Sequence, residues 1–347
     1  MISRESAEPM SNESPAVSVL MPVRDGQVYL DEAMSSLLAQ TFADFEILVV
    51  DDGSTDDTPG QLERWVREDE RIRVITSEPV GIVHALELGR AEARGRYLAR
   101  MDVDDVADPH RFAAQFAMLE NHPMLSGCGC GVRYFPTEAV RDGARRYEAW
   151  INSIRSPDDV ARSVWVECPL AHPTFFLRST SVEEVGGYED TGWPEDYDLI
   201  LRLHRAGHQL ANVPRVLHRW RERVDRLSRT DLRYSLGSFL RCRVHHLVRG
   251  PLAHGRDVVV WGAGPVGKTF ARALQKEGIR VAAFVELDPR KIGQEIHGAP
   301  VLDTVQALEI RESLHAAAVG QPGARARIEA LLEAAGMAPG ADFIAVA

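Results

Sequence analysis

Residues 46–58 read EILVVDDGSTDDT, an aliphatic run that breaks abruptly into acidic and hydroxyl side chains around a glycine. A short apolar run with a sharp polar end is the pattern of a buried parallel strand emerging into a turn at its carboxyl end. The same pattern stands on either side. VSVLMPV (17–23) stops at Arg24-Asp25-Gly26, and Tyr97–Met101 stops at Asp102-Val103-Asp104-Asp105. Helical patterns at 28–40, 59–68 and 82–93 and a strand at Ile72–Thr76 fill the intervals. Strands separated by helices predict βαβ units and a mostly parallel sheet, so the fold class is α/β. Ligands of such sheets bind beyond the carboxyl ends of the strands. The polar ends of the first, second and fourth strands are therefore expected to converge on one crevice.

Beyond Asp105 the alternation loosens. Helices are expected at 109–120 and 194–206, strands at 127–135 and 174–177, and a basic helix at 231–248. A second βαβ start follows at 257–285, with further strands near 299–302, 316–319 and 343–346. This divides the chain into a loose tail (1–15), a first domain (16–230), a basic helical linker (231–254) and a smaller Rossmann-like domain (255–347).

Of the 347 residues, 45% are apolar and 26% charged, which excludes wholesale disorder. No apolar stretch approaches the roughly 18 residues of a membrane span, and the polar first residues lack a signal-peptide core. Four cysteines are too few for a disulfide scaffold. The expectation is a soluble cytoplasmic protein. The net charge of −11 is uneven: residues 1–214 carry −17, residues 215–254 carry +7 and the remainder −1. The acidic first segment argues against nucleic acid as a partner. The basic segment suits an inter-domain helix or peripheral contact with an anionic membrane, Leu236, Phe239, Leu240, Val244, Leu247 and Val248 giving it an apolar face. Nothing in the sequence specifies an oligomeric state.

Carboxylates gathered at Asp51-Asp52 and at Asp102–Asp105 repel one another and call for a counter-charge, naturally a hard divalent cation. Helix capping and turn formation account for Asp56 and Ser54, but not for three acids within four positions. The spacing does not match an EF-hand loop.

PVRDG (22–26), VVDDGSTDDT (49–58), ARMDVDD (99–105), HPT (172–174), VGGYED (185–190) and PEDYDLILRL (194–203) stand in an order that resembles family 2 glycosyltransferases of the GT-A fold. The resemblance implies inverting transfer of a sugar from a nucleotide-diphosphate sugar donor to a glycan or lipid-linked acceptor, with Mn²⁺ or Mg²⁺, in bacterial surface glycan synthesis. It places Pro22 and Val23 at the nucleobase, with Arg24 and Asp25 beside them. Asp51 or Asp52 would accept from base or ribose, Asp102 would lie near the ribose, and Asp104 would hold the metal. Asp196, paired with Glu195, would be the general base, and His172 would line the acceptor side or complete a core hydrogen bond. Arg24 and Asp25 replace the aromatic residue and Asn frequent in the family. Late in the domain Arg221 and Ser228 match, while Arg223 stands where the family commonly has His.

In the C-terminal part, Gly262-x-Gly264-x-x-Gly267 follows an apolar strand, and Glu286 stands where an acid would meet a ribose. This resembles small NAD- or sugar-nucleotide-binding modules and predicts NAD(P) or a second nucleotide there, the alternative being a module that binds nothing. Cys128-Gly129-Cys130 reads as buried core. The competing functions are a nucleotidyltransferase, which would normally carry a Gly-rich basic loop after the first strand, a non-catalytic nucleotide-sugar sensor, and an NAD-dependent oxidoreductase.

Overall fold

The computed structural model describes residues 14–347, so all but the end of the tail expected at 1–15 lies outside the described residues. The chain opens with β1 (Val17–Val23), α1 (Leu30–Leu38), β2 (Phe45–Asp52), α2 (Thr58–Glu68), β3 (Ile72–Ser77), α3 (Ile82–Glu92) and β4 (Tyr97–Arg100). It continues through β5 (Val106–Ala107), α4 (Arg111–Asn121), β6 (Leu125–Phe135), α5 (Asp142–Ser153), α6 (Pro157–Ser163), β7 (Phe176–Arg178), α7 (Ser179–Glu184), α8 (Glu195–Arg205) and β8 (Gln209–Arg221). A short α9 (Leu227–Thr230) and α10 (Leu236–Val248) lead to the second unit. That unit is β9 (Val258–Trp261), α11 (Pro265–Lys276), β10 (Val281–Val285), β11 (Glu295–Ile296), β12 (Ala299–Leu302), α12 (Thr304–Leu308), β13 (Leu314–Ala317), α13 (Ala324–Ala334) and β14 (Phe343–Ala345). Among the described residues no helix is long and apolar enough to cross a membrane.

The first sheet runs β3-β2-β1-β4-β7-β6-β8-β5. Its β1–β4 half is parallel, β7 runs against β4 and β6, and β8 again lies parallel to β6. The order reverses at β1, so the crevice between β1 and β4 is the switch point where such sheets place ligands. Side chains alternate between two faces. Leu20, Leu48 and Leu98 pack with Val83 and Leu86 of α3, while Val19, Met21, Ile47 and Val49 pack with Ala33, Met34 and Leu37 of α1. Full burial of each such aliphatic side chain contributes about 1.5–3 kcal/mol.

Strand β8 had no counterpart in the sequence expectation, because Pro214 and the charged run after it speak against a central strand. The structure accommodates the proline by a bulge. Pairing with β6 passes from Cys130↔Val213 to Gly131↔Val216, so Pro214 and Arg215 leave the ladder. β5 closes the sheet against the far end of β8, pairing Val106 with Arg219. Asp102–Asp105 therefore spans from mid-sheet β4 to β5, the edge strand beside β8.

The second sheet, β11-β12-β10-β9-β13-β14, is parallel except for the β11–β12 hairpin. Its core continues into that of the first sheet through α10. Arg243 of α10 donates to the carbonyl of Val346 (2.6 Å) and to that of Val166, with its Nε 3.4 Å from the Tyr197 hydroxyl. The apolar face of α10, including Cys242, Val244 and Leu247, is buried in that junction.

A Cβ on Gly267 would stand 1.9 Å from the Gly262 carbonyl oxygen, whereas one on Gly264 would meet nothing within 4 Å. Gly267→Ala should therefore destabilise by about 1–3 kcal/mol or more, as overpacking does, while Gly264→Ala should leave the melting temperature nearly unchanged. Thermal unfolding of the two variants checks this.

Candidate active site

A cavity of about 530 Å³ opens at the carboxyl end of β4. Asp102 and Asp104 enter it from the β4–β5 stretch, Glu195 and Asp196 from the start of α8, and His172 from the turn before β7. Arg223 and Arg226 close it from the segment after β8.

Carboxylate oxygens of Asp102, Asp104 and Asp105 all lie within 4.8 Å of one another. Asp105 is fully spent on the scaffold. Arg111 donates to Nδ1 of His218 (3.3 Å), since arginine has no acceptor, so Nε2–H of His218 donates to Asp105 (2.8 Å). The other Asp105 oxygen accepts from the Arg221 amide (2.7 Å). Burial, with Arg111 nearby, holds His218 neutral, its pKa well below the usual value. Asp102 pairs with Arg100, and Asp104 lies 2.9 Å from the Arg223 guanidinium. Burial first, then Asp105 and Asp102, push the Asp104 carboxyl up to about 7. Oxygen donors crowded until one resists ionisation fit a hard divalent cation, with Asp102 and Asp104 facing the cavity.

At the start of α8 both acids reach the cavity wall, Glu195 nearly buried and Asp196 the more open of the two. Glu195 is 1% exposed, and the Tyr234 hydroxyl lies 2.9 and 2.8 Å from its two oxygens. Asp196 accepts from the Tyr197 amide (2.7 Å) and lines the cavity. Burial raises both carboxyls, Glu195 to about 7 with Asp196 as next cause and Asp196 to about 6. His172 is buried, 3.1 Å from the Tyr188 hydroxyl and 3.6 Å from Glu195, and burial lowers its pKa well below the usual value. A neutral imidazole in the cavity wall results.

The β1 and β2 ends adjoin this cavity without lining it. Asp25, at φ +51°, accepts from the Thr55 amide (2.7 Å), and its own amide donates to Ser54 Oγ (2.9 Å), which zips the two turns together. Pro22 and Val23 end β1 beside Val50 and Asp51, and Arg24 is exposed. Val23 and Val103 crowd the same side of Gly26, where a Cβ would meet them at 2.5 and 3.0 Å, so the β1 turn touches the Asp102–Asp105 stretch. Asp51 accepts from the Ser54 amide (3.0 Å). Asp52 uses both oxygens on the amides of Val80 (2.7 Å) and Gly81 (3.0 Å) and caps the turn before α3. Arg221 is committed as well: it donates to the Asp104 carbonyl (2.6 Å), pairs with Glu32 and lies over the rings of Tyr29 (4.8 Å) and Phe135 (4.3 Å).

Two residues of this constellation escaped the sequence reading. Arg100, 2% exposed, stands between the two acidic pairs as a fixed internal cation. Its signal was a charged residue ending an otherwise apolar buried strand. Tyr234 reaches Glu195 from 39 residues away, and no spacing rule could have found it.

In the second unit, Gly262 (φ +118°), Gly264 and the start of α11 border a separate cavity of about 520 Å³ with Glu286 on its wall. Glu286 is paired with Lys291 (2.8 Å). Gly267 lies behind, in the contact between helix and strand.

A curled, parallel-dominated sheet with acidic groups gathered at its switch point defines a GT-A-type fold. Residues 18–186 match the model of glycosyl transferase family 2, and residues 255–339 match that of the CoA binding domain. The chain is 30% identical over 230 residues to the putative glycosyltransferase EpsE of Bacillus subtilis, covering 65% of this chain and 80% of that protein. It is 29% identical over 201 residues to the amylovoran biosynthesis glycosyltransferase AmsE of Erwinia amylovora, covering 58% of this chain and 73% of that one. The chain belongs to the family 2 glycosyltransferases. In fold it is similar to Staphylococcus aureus TarS residues 1–349 in complex with UDP-GlcNAc (15% identity, TM-score 0.57, 75% of this chain and 70% of that one). It is also similar to a Pyrobaculum calidifontis mannosyltransferase in complex with GDP-Man and Mn²⁺ (20% identity, TM-score 0.50, 77% and 70%).

The Asp104 carboxyl is raised in the folded protein from the ordinary aspartate range to about 7, so its contribution to stability is full below the ordinary range and is lost as pH rises through about 7. At about pH 8, Mn²⁺ should raise the melting temperature by a few degrees. Asp104→Asn should raise the metal-free melting temperature and abolish the Mn²⁺ response, both measurable by differential scanning fluorimetry.

Proposed function

We propose that the first domain transfers a sugar, with inversion, from a nucleoside diphosphate sugar to an acceptor hydroxyl, and that it acts in bacterial surface glycan synthesis. The observation that carries this reading is the meeting of Asp102 and Asp104 with Glu195 and Asp196 in one cavity. The donor's base and ribose lie along the ends of β1 and β2, by Pro22, Val23 and Asp51, and its diphosphate reaches Asp102 and Asp104. Those two aspartates are the place for Mn²⁺ or Mg²⁺, which when bound offsets the charge developing on the departing diphosphate. Arg223 and Arg226 add fixed positive charge on the same side.

Asp196 takes the proton from the acceptor hydroxyl as that oxygen attacks the anomeric carbon from the face opposite the leaving group. A carboxyl raised to about 6 is ionised at neutral pH and still basic enough to accept a proton. Glu195, held by Tyr234, positions the start of α8. Arg100 balances the acids on both sides. His172, neutral and buried, shapes the acceptor side.

The acceptor is a glycan or a lipid-linked saccharide, used at the inner face of the membrane. In the second domain the open N-terminus of α11 at Gly264 supports the nucleotide end of NAD(P) or of a second nucleotide as ligand.

A panel of nucleotide sugars assayed for Mn²⁺-dependent release of nucleoside diphosphate tests the reading. Asp104→Ala should lose metal-dependent turnover. Asp196→Asn should keep donor binding and lose about 10²–10⁴-fold in transfer, and wild-type transfer should fall as pH drops through about 6. Binding of donors without any turnover would favour a sensor. Tyr234→Phe should move the acid limb of the pH–rate profile to lower pH with little change in donor KM, because Glu195 loses the bond that favours its ionised form and, once neutral, no longer repels the charge on Asp196.

A further inference from the structure

Thirteen large apolar side chains are exposed among the described residues, and four of them fall within residues 224–236. Val224 is 78% exposed, Leu227 43%, Leu232 83% and Leu236 91%. Scattered single exposures are ordinary, whereas four within thirteen consecutive positions concentrate apolar surface in one segment. Val28, 75% exposed, adjoins the run through Tyr29, whose ring lies 5.1 Å from the Arg223 guanidinium.

The segment forms a strap between β8 and α10. Leu227, Ser228, Arg229 and Tyr234 line the cavity, so the strap is the rim of the site on its Glu195 side. Residues 215–254, which contain it, carry +7 in a chain whose total is −11. Arg219 and Arg241 are exposed beside it, Arg229 is exposed while paired with Glu222, and Asp225 and Asp231 are the exposed acids within it. Of the apolar face of α10 that the sequence suggested for a membrane, Phe239, Leu240, Val244, Leu247 and Val248 are consumed by the junction with α8 and α11, while Leu236 at its first turn stays exposed. The exposed apolar groups are those of the strap in front of it.

We infer that the strap, through Val224, Leu232 and Leu236 with its flanking arginines, docks on an anionic bilayer and so presents the mouth of the site to an acceptor anchored there. Apolar side chains enter the headgroup boundary while arginines meet anionic lipid, and neither alone holds a protein firmly. This deepens the acceptor reading above, yet the docking itself needs no turnover to be observed.

The test uses the full chain with vesicles of phosphatidylcholine alone or mixed with phosphatidylglycerol. Wild-type protein should co-sediment with the anionic vesicles, less so at high salt, where charge is screened. Leu232→Ser/Leu236→Ser should bind about tenfold more weakly while keeping its melting temperature and its slow donor hydrolysis in solution, since neither leucine lines the cavity. Leu236→Trp should show a blue-shifted emission on adding anionic vesicles. Absence of binding to anionic vesicles, or equal binding by wild type and the double serine variant, overturns the inference. So does a wild-type dimer that the double variant converts to monomer without any vesicle binding, which would assign the strap to a second copy of the chain. Loss of donor hydrolysis in both proteins with vesicle binding intact would count against the glycosyltransferase reading and leave the docking standing.

Discussion

The structure depends on how it holds carboxylates together out of water. Asp102, Asp104 and Asp105 leave β4 in one short stretch whose destination is β8, and such a cluster survives folding only if its charge is met. The chain meets it unevenly. Asp105 is locked by His218 and the Arg221 amide and fastens the stretch to the sheet edge. Asp102 and Asp104 are met partly, by Arg100 and Arg223, and remain turned to the cavity. One acid in the run is architecture, and the other two face the cavity.

The same division recurs at α8. Glu195 is enclosed by Tyr234, whereas Asp196, its neighbour on the helix, opens to the cavity. Adjacent acids at a helix start are both favoured by its dipole, and tertiary packing gives them different surroundings. Arg100, buried between the two acidic pairs, links them electrically, so the Asp102 and Glu195 sides of the cavity share one charge balance.

α10 ties these features to the second domain. Its face packs on α8, Tyr234 just ahead of it grips Glu195, and Arg243 within it reaches both the loop after α6 and the end of the chain at Val346. The two sheets therefore share one continuous core rather than hanging on a free linker, and the basic segment owes its composition both to this junction and to the exposed strap.

Much of this was written locally. The βαβ alternation through Arg100, the abrupt polar ends of β1, β2 and β4, and the glycine turn opening the second domain follow from hydrophobic period and turn chemistry, which act over a few residues. The ordered motifs also sufficed to indicate the family. The fate of individual polar groups was another matter. Asp51 and Asp52 are equivalent in sequence, yet one bonds the Ser54 amide and the other caps the turn before α3. Arg221 matched a motif and is spent on Glu32 and the Asp104 carbonyl. β8 was hidden because its proline is tolerated only through a bulge against β6. Local propensity set the order of elements, while partner choice among charges is a long-range matter of which desolvated group lies within hydrogen-bond reach, and only the packed chain decides that.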